Sequence, residues 1–161
     1  MKITWPASDA LLPIDLRPDA DDSTMRRRLV ELLNETEAAA AWLILDSGQP
    51  LGWLAAPTTS LHGRTAGDAR AALRVAEPIE PVDERMIDTY SGRALRLVQR
   101  HALGVSTAEH SGSDLLTVHA SWSWQVGEHL VVLSTSSVEQ ALVQLLIQRV
   151  DVLAEKIVLD V

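Results

Sequence analysis

Between residues 116 and 124 the chain alternates almost without exception between apolar and polar side chains. Leu116, Val118, Ala120, Trp122 and Trp124 fall on one side, and Thr117, His119, Ser121 and Ser123 on the other. A period of two belongs to a strand with one buried face; a helix would scatter those five apolar residues around its circumference. This stretch commits the chain to a sheet, and the rest must supply partner strands and cover. A turn at Val126-Gly127 follows, where glycine can take the positive φ of a tight hairpin. Leu130-Val131-Val132-Leu133 is apolar on both faces, the mark of a central strand covered on both sides.

The polar run from Ser134 to Ser137 ends that strand. Ser137-Val138-Glu139-Gln140 fits a capping box with Ser137 at the N-cap. Ser136 and Ser137 therefore sit beside a helix N-terminus, a place where anions bind, although capping alone accounts for them. Beyond, Val138, Ala141, Leu142, Leu145, Leu146, Val150, Leu153 and Ile157 recur at helical spacing and predict one apolar stripe. Gln144, Gln148 and Asp151 fall on the other side.

Upstream, Pro6, Pro13 and Pro18 keep residues 1–22 from forming a helix and leave an extended N-terminal arm or short edge strand. Asp21-Asp22-Ser23 offers caps, and Met25, Leu29, Leu32, Leu33 and Thr36 give a stripe. They predict a helix over 23–39, with the alanine run of 38–41 carrying it to its end. Residues 42–45 read as a buried strand, 46–50 as a turn and 51–58 as the hairpin partner. Residues 68–76 suit a short helix, and 77–81 are extended because each proline pushes its predecessor out of helical space. Residues 86–90 and 93–101 supply two further strands about Ser91-Gly92, and 103–114 form a long connection. The sum is an α+β fold, mainly an antiparallel sheet covered by helices, in a single domain over 1–161.

Three pieces of the second half resemble the PsbP-like α/β/α sandwich, in the form found in small actinobacterial proteins. They are Tyr90-Ser-Gly-Arg-Ala-Leu-Arg-Leu97, the hairpin ending Leu130-Val-Val-Leu-Ser-Thr135, and the final helix opened by Ser137. The likeness covers residues 84–157. It implies a binding or assembly module rather than an enzyme. A START-like helix-grip is the alternative shape.

Several chemistries are excluded. With no cysteine, disulfides, thiol catalysis and thiolate metal sites are out. The formal charge of −8 disfavours nucleic acid, and Arg26-Arg27-Arg28 reads as a solvated helix face. No apolar run approaches the ~20 residues of a membrane span, and the N-terminus is a poor signal peptide, so the expected location is cytoplasmic. Phosphate-loop, nucleophile-elbow and HExxH patterns are all absent. With the turn at Val126-Gly127, His119 pairs with Ser134 and Trp124 with His129. The two histidines then stand ~17 Å apart and cannot share a metal. No metal and no cofactor is expected.

The candidate site residues are Arg96, the polar row His119, Ser121 and Ser123, then Trp124, Ser136 and Ser137. An open polar row would be a binding surface; a covered one needs partners. With no Phe in the chain, most of the five tryptophans are expected in the core, and Trp124, beside the turn, is the one expected to be exposed. The leading expectation is a non-enzymatic protein-interaction module, forming a homodimer or docking to another protein. The alternative is a small-molecule binder or hydrolase with a pocket between sheet and C-terminal helix, near Arg96 and His119.

Overall fold

The alternating segment becomes β7 (Leu115–Val126), and the doubly apolar run becomes β8 (His129–Ser137). β8 lies fourth of seven in the main sheet, and all four residues from Leu130 to Leu133 are buried, as expected of a central strand. The computed structural model describes residues 2–5, 10–16, 30, 33, 38–103 and 115–160. The other described elements are β1 (Lys2–Thr4), β2 (Leu11–Pro13), β3 (Ala38–Asp46), β4 (Gln49–Ser60), α1 (Ala66–Ala71), β5 (Asp83–Thr89), β6 (Gly92–Leu103), α2 (Gln140–Glu155) and β9 (Val158–Asp160). The sheet runs β2-β3-β4-β8-β7-β6-β5 with every pairing antiparallel, while β1 and β9 form a separate small ribbon.

One face of the sheet carries α2. Trp42, Ile44, Leu54, Trp122 and Leu133 pack there against Leu146, Val150 and Ala154. Gly52 lets the helix come close: a Cβ at that position would lie 3.0 Å from Leu146 Cδ1. The opposite face is also covered by helical residues. Ala69 of α1 packs with Leu61, Leu130 and Val132, and the helical Leu33 packs on Ala41 and Ala55. The molecule is thus an α+β layered fold with helices on both sides of an antiparallel sheet. The tip of the β5–β6 hairpin is pinned to the end of α2, where Ser91 Oγ donates to the Ile157 carbonyl (2.8 Å) and accepts from Leu159 N (2.9 Å).

Four local expectations are corrected. The helix over 23–39 falls mostly outside the described residues; its described positions Val30 and Leu33 are helical and buried, but it does not extend through the alanines. Ala38–Asp46 is strand, and Ala41 pairs with Ala55. Alanine's helix preference is a weak prior, and two small residues opposite each other make room for Leu33.

The short helix starts earlier than expected, because Thr65 and Asp68 form a reciprocal capping box, and it ends at Ala71. The Thr65 hydroxyl bonded to Asp68 holds that carboxyl below its usual range.

Ser137 is not the N-cap of the last helix. Pairing with Val118 keeps it in β8, so Glu139 takes the N-cap without a side-chain bond, and Ser137 Oγ accepts from Glu139 N instead (3.1 Å).

The apolar stripe of the last helix is borne out at Leu146, Val150, Leu153 and Ile157 but turned at its start. Val143, Leu146, Ile147, Val150, Leu153, Ala154 and Ile157 are buried, whereas Leu142 and Leu145 are exposed. The helix has two apolar faces, and periodicity alone does not say which meets the sheet.

Candidate functional site

Arg96 sits on β6 directly across from Trp122, under α2, and is 7% exposed. Its Nη1 donates to Asp151 Oδ2 (2.8 Å) and its Nη2 to Asp83 Oδ2 (2.7 Å). The other oxygen of Asp151 accepts from Trp122 Nε1 (2.7 Å). One carboxylate of α2 therefore ties the helix to two neighbouring strands. Above lies a polar cleft of 410 Å³ whose charged lining is Glu80, Asp83, Arg85, Arg96, Arg100 and Asp151. Each charge already faces an opposite one: Arg85 bonds Asp83, and Arg100 bonds Glu80. The cleft offers no surplus charge with which to hold an ionic ligand.

His119, Ser121 and Ser123 lie on the other face of the sheet. Arg96 pairs with Trp122 and Gln99 with His119, three positions on along β6, so the alternation of the strands puts Arg96 and His119 on opposite sides. The cleft lined by Arg96 does not include His119. The polar row is covered rather than open, since Ser121 and Ser123 are both buried. Arg70 of α1 donates from Nε to Ser123 Oγ (3.1 Å) and from Nη2 to the Ser123 carbonyl (3.2 Å). The segment after α1 is stitched down by Gln99, whose Nε2 donates to the Leu73 carbonyl (2.8 Å) and whose Oε1 accepts from Val75 N (2.8 Å).

The hairpin register differs from expectation by two residues. Val126 faces His129, so the turn is Gly127-Glu128, and His119 pairs with Ser136 rather than Ser134. His119 and His129 are then ~24 Å apart along the ladder, farther than expected. Among the described residues no cluster of three or more His, Asp or Glu side chains could hold a metal ion.

Burial, and secondarily the nearby His101, pushes the His119 imidazole below its usual value of 6.5. The folded state thus holds fewer protons on this residue than the unfolded chain does. Its contribution to stability is complete above about pH 6.5 and is lost as pH falls through the lower folded value. Urea denaturation at pH 7.5 and 5.5 is expected to show lower stability at the acid pH. In His119→Gln that difference is expected to shrink; an unchanged pH dependence would show that His119 does not carry it.

Trp124 is in the core, 1% exposed, against the expectation of exposure. The β5–β6 hairpin reaches far enough to cover it, and Thr89 Oγ1 accepts from its Nε1 (2.9 Å). Ser136 and Ser137 line a second cleft, of 510 Å³, at the start of α2.

A further surface went unread in the sequence. Leu142, Leu145 and Val152 are 38%, 36% and 53% exposed. Spaced i, i+3 and i+10, they share the outer face of α2, with Arg149 between them and Lys156 at the end. Arg149 bonds Asp46 at the end of β3. The outer strands of the main sheet are poor templates for strand addition. β2 has three residues and contains Pro13, while β5 carries Asp83, Glu84, Arg85 and Asp88.

No described helix is long and apolar enough to cross a membrane. No protein-family model matches the chain, and no curated protein matches it in sequence.

Proposed function

We propose that this chain is a non-enzymatic assembly module that pairs with a second copy of itself through the outer face of α2. The observation that carries this reading is the exposed apolar stripe of Leu142, Leu145 and Val152 on a helix whose other face is already filled by the core. The blunted edges of the sheet favour a helix contact over strand addition.

Charge favours one orientation. Glu139 stands exposed at one end of α2 and Lys156 at the other. A parallel pair would bring like charges together. An antiparallel pair sets Glu139 of each copy beside Lys156 of the other and lays Leu142 over Val152. Such a contact is isologous, the usual form for a dimer. α2 spans ~24 Å, and one helix pair lies at the low end of the roughly 1,000 Å² that a specific interface buries. Its dissociation constant is expected on the order of 10 μM.

Glu139→Lys is expected to weaken association about tenfold, and Glu139→Lys combined with Lys156→Glu to restore it. Equal association of both variants and the wild type would remove the antiparallel arrangement.

The finer fold assignment that fits helices on both faces is the PsbP-like sandwich, which a helix-grip, with one face of its sheet open to a cavity, matches less well. The absence of cysteine and of a long apolar helix among the described residues supports a cytoplasmic setting.

A further inference from the structure

The two central strands part company at one corner of the sheet. β4 and β8 pair at Thr58–Ser60 and again at Ala55 with Ser134. Beyond that point β4 keeps β3, with Trp53 facing Leu43, and β8 keeps β7, with Ser136 facing His119. The 510 Å³ cleft opens where they diverge. Its apolar side is formed by Leu51, Trp53, Val138 and Leu142, and its polar side by Thr117, Ser136 and Ser137.

Two independent features give this corner hydrogen-bonding demand. The N-terminus of α2 faces it without a side-chain cap, so the donors of the first turn are not answered by an N-cap side chain. Thr117, which forms part of the cleft, is 5% exposed, and its buried Oγ1 has no partner. A buried hydroxyl without a partner lowers stability, and where it persists beside a cleft a bound group is a ready explanation.

Charge narrows the ligand. Among the described residues lining the cleft, Glu139 is the one charged side chain. A carboxylate would meet Glu139, and an ammonium group would meet the positive end of α2. We propose that the cleft binds a small neutral amide bearing an apolar group. The amide carbonyl accepts from the first turn of α2 and from the Thr117 and Ser136 hydroxyls. The amide N–H donates to Glu139, and the apolar group lies against Trp53 and Leu142.

The test is a titration of the ¹⁵N-labelled protein with N-acetyl-leucinamide, followed by two-dimensional NMR, with hexanoate and hexylamine as charged comparisons. Saturable shifts are expected at Trp53, Thr117, Ser136 and Leu142, with a dissociation constant on the order of 1 mM for a ligand of this size. They are expected in Leu145→Glu at least as strongly as in the wild type, because pairing of α2 would cover Glu139 and Leu142, so loss of pairing and loss of the site are told apart. Thr117→Val keeps the shape and removes the orphaned hydroxyl. It is expected to raise the melting temperature by about 2–4 °C while weakening binding about tenfold. Ser136→Ala is expected to weaken binding in the same direction. Absence of saturable shifts, or binding unchanged in both variants, would overturn the site. Tighter binding of hexanoate or hexylamine would overturn the neutral-amide assignment.

Discussion

Trp122→Ala is expected to destabilise the protein by about 5 kcal/mol, the largest effect of any single substitution considered. The indole is 0% exposed and belongs to the core cluster between the sheet and α2. Truncating a buried aromatic to alanine typically costs about 3–5 kcal/mol through lost transfer energy and the cavity left behind. The upper end applies because the substitution also takes the indole donor from Asp151 Oδ1. A domain of this size has only about 5–15 kcal/mol of stability in total, so the variant should lose between a third and all of it. Urea denaturation followed by far-ultraviolet circular dichroism reads this directly. A loss below about 2 kcal/mol would show that the indole is not the centre of the core.

Asp151→Ala is expected to cost about 3 kcal/mol, although it removes a side chain that helical periodicity places on the polar side. The loss has two parts. Trp122 Nε1 is left without its acceptor, and Arg96 keeps only Asp83. Removing one partner of a buried ion pair costs about 3–5 kcal/mol because the remaining charge is poorly solvated. The side chain of Asp151 is 24% exposed and that of Asp83 43%, so water enters the cluster and the lower end of that range applies. Asp151→Asn should cost less, about 1–2 kcal/mol, since an amide oxygen can still accept from Trp122. The two alanine substitutions share a hydrogen bond. Their combination is therefore expected to cost less than the sum, and additive losses would mean that Asp151 and Trp122 act independently.

The sheet was legible where side-chain chemistry speaks for both faces at once. The alternation of residues 116 to 124 and the doubly apolar residues 130 to 133 name a half-buried strand and a central one, and they are β7 and β8. Register was less accessible. Moving the turn from Val126-Gly127 to Gly127-Glu128 leaves the faces unchanged but moves His119 from Ser134 to Ser136, and the alternation is blind to a shift of two. β1 and β9 each have three residues and owe their pairing to tertiary placement rather than to any local pattern.

The candidate site was legible mainly as a set of polar residues with an unsettled environment. Ser121 and Ser123 stand out as a polar row, but the cover comes from α1, and Arg70 meets Ser123 across 53 residues of sequence. Asp151 looks outward on a helical wheel because the wheel does not show that Arg96 and Trp122 stand opposite each other in the sheet. The same limit hid the exposed apolar face of α2. Leu142 and Leu145 read as core beside Leu146 until the strands beneath α2 select Val143 and Ile147 in their place. An apolar residue on a helix with two apolar faces declares its role only through its neighbours.

Sedimentation equilibrium of the wild-type protein and Leu145→Glu, from about 1 to 200 μM, tests the assembly reading most directly. The wild type is expected to shift from monomer to dimer across that range. Leu145→Glu, with a charge at the middle of the stripe and no change to the core, is expected to remain monomeric with unaltered stability. A wild type that stays monomeric throughout, or a variant that dimerises as well as the wild type, would contradict assembly through α2.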